Sequence, residues 1–217
     1  SQERSESLPS SSLNTMLKTS VDLGALGTDK YRQNFYVLSK VVEEISEIQE
    51  EIKEKQLGYA EGKDGISGEA VDLLINLVDL YSLQLSGTKG VADIEKDIIS
   101  TLGYSFEDYL GMTFLTDNEA MEATNGFMQD IVLNQQEISI NCQVAEGLSY
   151  KSRTVEDFKG TLVDTMKAAL NIFFLSFDID ADDKEEVKKI VEFFQKTVFK
   201  KVNKWRKIRS LPLMIED

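Results

Sequence analysis

The segment 68–83, GEAVDLLINLVDLYSL, limits what this chain can fold into more than any other. As a helix it carries Val71, Leu73, Leu74, Ile75, Leu77, Val78, Leu80 and Tyr81 around most of its circumference, so it must lie inside a bundle. At about 100° per residue, Glu69, Asp72, Asn76 and Asp79 still share one arc of roughly 80°, a polar stripe on an apolar rod. An ionised carboxylate in a low-dielectric interior is costly, and it takes up a proton, pairs with a cation or holds a metal. The segment contains no Lys or Arg, so compensation must come from a partner helix or from an ion.

The rest of the chain supplies candidate neighbours. Only two prolines, Pro9 and Pro212, occur in 217 residues, and both lie near the ends. Long proline-free runs with three-to-four apolar spacing, in a chain that is 41% hydrophobic, predict an all-α fold. The pattern places helices at 12–23, 31–57, from 68 onward, 90–102, 105–112, 118–146, 154–177 and 182–207. The loop 58–67, GYAEGKDGIS, folds the helix 31–57 back on the next, with Ser67 as its expected N-cap. In 31–57 the core stripe is Val37, Val41, Ile45, Ile48 and Ile52. Glu44, Glu47 and Glu51 lie beside it, and Glu43, Glu50 and Glu54 turn toward water.

Residues 68–85 also lie over 160–177, matching Val71 with Val163, Asp72 with Asp164 and Leu83 with Leu175. EISE at 44–47 falls on EISI at 137–140. This predicts a degenerate tandem repeat of helix pairs, 13–112 and 113–217, after a disordered segment 1–12. The copies differ chemically: Glu44, Glu47, Glu69 and Asp72 in the first face Glu137, Ile140, Thr161 and Asp164 in the second.

Glu44 and Glu47 are three apart, as are Glu69 and Asp72, so each pair occupies one helical face. Antiparallel packing of the two helices would bring four carboxylates together. Such a cage suits hard divalent ions, which keep waters and engage substrate phosphates. A glutamate-rich helix alone reads first as a solvated acidic face; the stripe on the apolar helix reverses that weighing in favour of metal. With no histidine and one cysteine, Cys142, the chain lacks Ser-His-Asp and Cys-His chemistry and a structural zinc site. The metal expected is therefore magnesium, with manganese as its substitute.

A net charge of −14 argues against general nucleic-acid binding. No apolar run reaches the ~18 residues of a membrane span, the start SQERSESLPSSS lacks the apolar segment of a signal peptide, and a lone cysteine fits a reducing compartment. These features predict a cytoplasmic protein with neither nucleic-acid nor membrane partners. The charge is uneven: ten Lys or Arg against three Glu between 184 and 209 make that segment +7. Basic residues there either complement the helix dipole or contact phosphate.

EEISE at 43–47, followed after a loop by EAVD at 69–72 in a helix of the form DLLINLVDL, resembles the MazG-type all-α nucleoside triphosphate pyrophosphohydrolases. That superfamily includes dimeric dUTPases, dCTP pyrophosphatases and phosphoribosyl-ATP pyrophosphatase. The resemblance covers residues 35–85 well and the second copy loosely. It implies a bundle of four-helix type that hydrolyses a nucleoside triphosphate, with a deoxynucleoside triphosphate expected, to monophosphate and pyrophosphate with magnesium. It further implies that Glu44, Glu47, Glu69 and Asp72 are metal ligands and that Glu43 orients or deprotonates the attacking water. Asn76 would touch sugar or base, while Lys201, Lys204 and Arg206, with Lys63, would contact the triphosphate. Trp205 packs or stacks on a base.

Family members usually assemble the bundle from two short chains; here the second copy would supply the partner helices, and a further homodimer stays open. The histidine that dimeric dUTPases carry after the second motif is absent, which puts uracil specificity in question. Ferritin-like di-iron bundles need histidine and fit poorly. Two other classes remain: a nucleotide or alarmone sensor whose degenerate repeat records lost catalysis, and a helical adaptor whose acidic surface docks a basic partner.

Overall fold

The computed structural model describes residues 10–27, 32–60, 62–85, 88–102, 116–177 and 183–215, and among these the regular structure is entirely helical. The helices are α1 (Ser10–Ala25), α2 (Asn34–Gln56), α3 (Gly65–Gln84), α4 (Val91–Leu102), α5 (Asp117–Ala145), α6 (Val155–Leu175) and α7 (Lys184–Ile208). α3 packs against α2 and α6, and α5 packs against α6 and α2, which closes a four-helix bundle. α1 lies on α3 and is flanked by α4 and α7; α7 also reaches α3, and α4 reaches α6.

This placement explains the apolar character of α3. Surrounded by α1, α2, α6 and α7, it buries 16 of its 20 residues. Leu73, Leu77, Val78 and Leu80 are wholly shielded, each contributing roughly 1.5–3 kcal/mol of transfer free energy. On α2, the buried set is the expected stripe of Val37, Val41, Ile45, Ile48 and Ile52. One continuous core joins Leu17, Ile48, Leu74, Met128, Phe173 and Val198, so residues on both sides of the expected repeat boundary share an interior. Tyr81 donates to Asp97 at 2.8 Å, and Lys159 bridges the same carboxylate at 2.8 Å, tying α3, α4 and α6 together. Burial pushes the Cys142 thiol up to about 12, as befits a core side chain.

The α2–α3 turn is fixed by close approach. The Gly62 N–H donates to Glu51 at 2.9 Å, where a β-carbon would collide with that carboxylate. A β-carbon at Gly68 would come within 2.9 Å of the Asp64 β-carbon, so glycine lets Asp64 fold over the first turn of α3. That helix starts at Gly65, earlier than the sequence suggested, because Gly65 adopts φ 64 and turns the chain into it. Ser67 therefore lies inside α3 and is not its cap; Asp64 holds the N-cap position without a side-chain capping bond. α5 and α6 instead open on capping boxes, Thr116 with Glu119 and Thr154 with Asp157.

Two other expectations change. Ser10 already opens α1 and Ser12 is buried, so the segment expected to be disordered does not extend through residue 12; residues 1–9 lie outside the described residues. The helix expected at 105–112 also lies outside them.

Candidate functional site

α2 and α3 bring the predicted carboxylates together. Oxygens of Glu44, Glu47 and Glu69 lie within 4.8 Å of one another, and so do oxygens of Asp64, Glu69 and Asp72. Glu69 belongs to both groups and joins them into one cage of five carboxylates. Asp64 was not foreseen: it belongs to the loop, and only the bare α-carbon of Gly68 lets it approach.

The cage is undercompensated. Glu69 is 8% exposed, and one oxygen of Glu69 and one of Glu44 are buried without a hydrogen-bond partner. Burial, reinforced by the charges of Asp72 and Glu47, pushes the Glu44 carboxyl up to about 9. Burial and the adjoining Glu47 raise Glu69 to about 8. Asp72 is also raised by burial, although Lys201 opposes the shift. Lys201 stands 2.6 Å from Asp72 and 3.6 Å from Asp64. Its burial works to lower its pKa, but the bond to Asp72 and the surrounding carboxylates outweigh that, and the net shift is upward. Among the described residues Lys201 is the one ammonium bonded within the five-carboxylate cage, and Lys40 acts on Glu44 from outside it. At neutral pH such a cage retains protons or takes up a cation.

The polar stripe of α3 finds three different solutions. Glu69 and Asp72 enter the cage. Asn76, 2% exposed, donates from Nδ2 to the Asp72 backbone carbonyl at 2.9 Å. Asp79 is paired with Arg32 at 2.5 Å, and Ser20 donates to the same carboxylate oxygen.

Beside the cage lies a cavity of about 250 Å³ between α1, α2, α3 and the end of α7. Glu44 lines its cage end, Asn76, Asp79 and Arg32 supply polar groups, and Tyr36 and Trp205 supply aromatic walls. The sequence reading found Asn76 and weighed Trp205, but missed Arg32, Tyr36 and Asp79 as site residues. Asp79 was visible as part of the stripe; Arg32 and Tyr36 had no motif to mark them.

Several expected roles need correction. Glu43 points away from the cage, is more than half exposed and bridges Lys40 at 2.9 Å, because position 43 faces water on α2; a role in handling the attacking water does not fit that placement. Arg206 is 2% exposed and fully committed. It donates to Thr19 at 3.0 Å, Asp22 at 2.9 Å and the Pro212 carbonyl at 2.5 Å, locking α7 to α1 and to the chain's end. No face of that guanidinium remains for a triphosphate. Lys204 and Lys63 are exposed and lie outside the cage groups and the cavity lining, whereas Lys201 is within the cage.

No helix among the described residues is long and apolar enough to cross a membrane. No protein family, curated protein or solved structure matches the chain.

Proposed function

We propose that this protein is a magnesium-dependent nucleoside triphosphate pyrophosphohydrolase, acting between the α and β phosphates with a deoxynucleoside triphosphate as the expected substrate. The observation that carries the reading is the five-carboxylate cage with two buried, partnerless oxygens opening beside a polar and aromatic cavity. The donor set is all oxygen, which fits magnesium and accepts manganese. Glu44, Glu47, Glu69 and Asp72 would hold the metal, with Asp64 as an added ligand. Bound there, the ion would supply Lewis-acid neutralisation of phosphate charge.

This chain's own residues would do the rest. Asn76 and the aromatic walls hold the nucleoside in the cavity, which leaves the phosphates over the cage. Lys201, already at the cage, adds positive charge to the phosphate oxygens. Glu47, the exposed member of its carboxylate group, stands where water enters and accepts a proton as water oxygen bonds to the α phosphorus. The bond from that phosphorus to the bridging oxygen breaks, and pyrophosphate leaves with the bonding pair. A cytoplasmic setting, with nucleotides and magnesium at hand, belongs to the same reading. The two copies of the helix pair, 13–112 and 113–217, would then be one working and one degenerate repeat.

The test is a panel of ribo- and deoxynucleoside triphosphates with magnesium, scored for monophosphate and pyrophosphate in equal amounts. Equimolar products from at least one substrate, lost in EDTA, are expected. Magnesium-dependent nucleotide binding without turnover would replace the enzyme with a sensor, and indifference of the melting temperature to both magnesium and EDTA would favour an adaptor.

A further inference from the structure

We infer that the cavity beside the cage reads a base edge carrying an amino group next to an unprotonated ring nitrogen, that of cytosine or adenine, and rejects the oxo edge of uracil or guanine. The inference rests on the proposal that the cage and cavity form a nucleotide site. It concerns Asp79 and Arg32, which neither the carboxylate motif nor the cage requires.

These two side chains form a paired acceptor and donor at the cavity wall. One Asp79 oxygen takes the hydrogen bond from Arg32 at 2.5 Å and that of Ser20. The other has no partner among the described residues and is not sealed from the cavity. Arg32 spends one hydrogen of one terminal nitrogen on Asp79 and one of the other on Ser20 at 2.9 Å, which leaves a second hydrogen on each; its Nε is buried without an acceptor. The wall therefore offers a carboxylate oxygen beside a guanidinium, and Ser20 holds both.

Cytosine presents N4–H₂ beside N3, and adenine N6–H₂ beside N1: donor, then acceptor. Each complements an acceptor beside a donor. Uracil presents O4 beside N3–H and guanine O6 beside N1–H, so an oxygen would face the carboxylate and a hydrogen would face the guanidinium. A site built from buried hydrogen-bonding groups penalises such a mismatch strongly because its own groups lose their partners. The spacing suits one nucleotide: Asp72 in the cage and Asp79 at the wall are seven residues apart on α3, about 10 Å along its axis. Trp205, which also lines the cavity, supplies an aromatic wall against which the base can lie.

The experiment is calorimetric titration of the intact protein, with magnesium, using the α,β-methylene analogues of dCTP, dATP, dUTP and dGTP. At least one amino-bearing analogue is expected to bind about tenfold or more tightly than both oxo analogues. The dCTP and dATP arms separate a pyrimidine-sized from a purine-sized pocket. Asp79→Asn, which replaces the pure acceptor with a group that both donates and accepts, should shrink the preference to within about threefold. Should that variant fail to fold, the unmodified protein's four affinities decide the matter alone. Equal affinities, or a preference for dUTP or dGTP analogues, overturn the base assignment while leaving the pyrophosphohydrolase reading intact. Failure of all four to bind overturns both.

Discussion

Two helical hairpins of this molecule hold carboxylates at matching sequence positions and treat them in opposite ways. In α2–α3, Glu44 is half-buried, has an oxygen without a partner and is pushed up to about 9. In α5–α6, its counterpart Glu137 receives Arg153 on both oxygens at 2.9 Å, and that hydrogen bond holds its carboxyl below the ordinary range. Where the first hairpin has Glu47 and Glu69, the second has Ile140, which is buried, and Thr161, whose hydroxyl donates to the Asp157 carbonyl at 3.0 Å. A carboxylate with its own cation is complete without a ligand; a cluster short of cations is not. The hairpin that looks less stable is therefore the one in which a divalent ion would have a use.

The largest effect should separate the hairpins by activity. Glu69→Gln or Asp72→Asn is expected to lower pyrophosphate release by at least about 10²-fold with the helical circular-dichroism signal intact. Glu137→Gln should leave the rate within about twofold, because its carboxylate already has a local partner. Equal losses in both hairpins would end the contrast.

Stability should respond with opposite signs to removing an uncompensated and a compensated charge. Arg206→Ala removes a buried guanidinium bonded to Thr19, Asp22 and the Pro212 carbonyl and is expected to cost roughly 3 kcal/mol, read as a fall in denaturant midpoint. Glu69→Gln without metal at pH 8 should instead raise the midpoint, since it removes like-charge repulsion. A fall in both would show that the cage is held together by contacts rather than strained by charge.

The same imbalance sets a pH dependence. Glu44 and Glu69 release protons near 9 and 8 when folded, against 4.5 for an ordinary glutamate. Between those values the folded protein holds protons that the unfolded chain has lost. Its stability therefore declines as pH rises from about 5 to 9. In EDTA the melting temperature should drop by about 10 °C or more over pH 6–9, and magnesium should restore it. Calorimetry at pH 7 in two buffers of different ionisation enthalpy should register about two protons released per protein on magnesium binding. A flat melting curve and no proton release would mean that the cage is already neutralised.

How far the sequence foretold this site depends on the range of each interaction. Glu44, Glu47, Glu69 and Asp72 were legible because three-residue spacing and an apolar background are properties of one helix. Their cations were not. Arg32 reaches Asp79 across 47 positions, Lys201 reaches Asp72 across 129, and Arg206 reaches Asp22 across 184. No local pattern decides which of ten basic residues in a segment arrives where. One signal was available: Arg206 follows Val198 and Val202 at four-residue spacing, on the buried stripe of α7, whereas Lys204 falls off it. That periodicity marks Arg206 as a packed residue despite its charge. The bundle was easier to foresee, because α3 can satisfy its apolar circumference only when surrounded.

The smallest expected effect tests the quiet hairpin. Arg153→Ala removes the partner of Glu137 from a partly exposed pair, with side chains 27% and 42% accessible. Water can take over the solvation of Glu137 there, so the melting temperature should move by only about 1 °C, and the difference should vanish near 1 M salt. Magnesium should still stabilise the variant no more than it stabilises the parent, because freeing one carboxylate on α5 does not recreate the cage when Ile140 and Thr161 hold the other positions. An added magnesium-dependent shift in Arg153→Ala would show that a single salt bridge is all that masks a second metal site, and the distinction between the hairpins would reduce to one arginine.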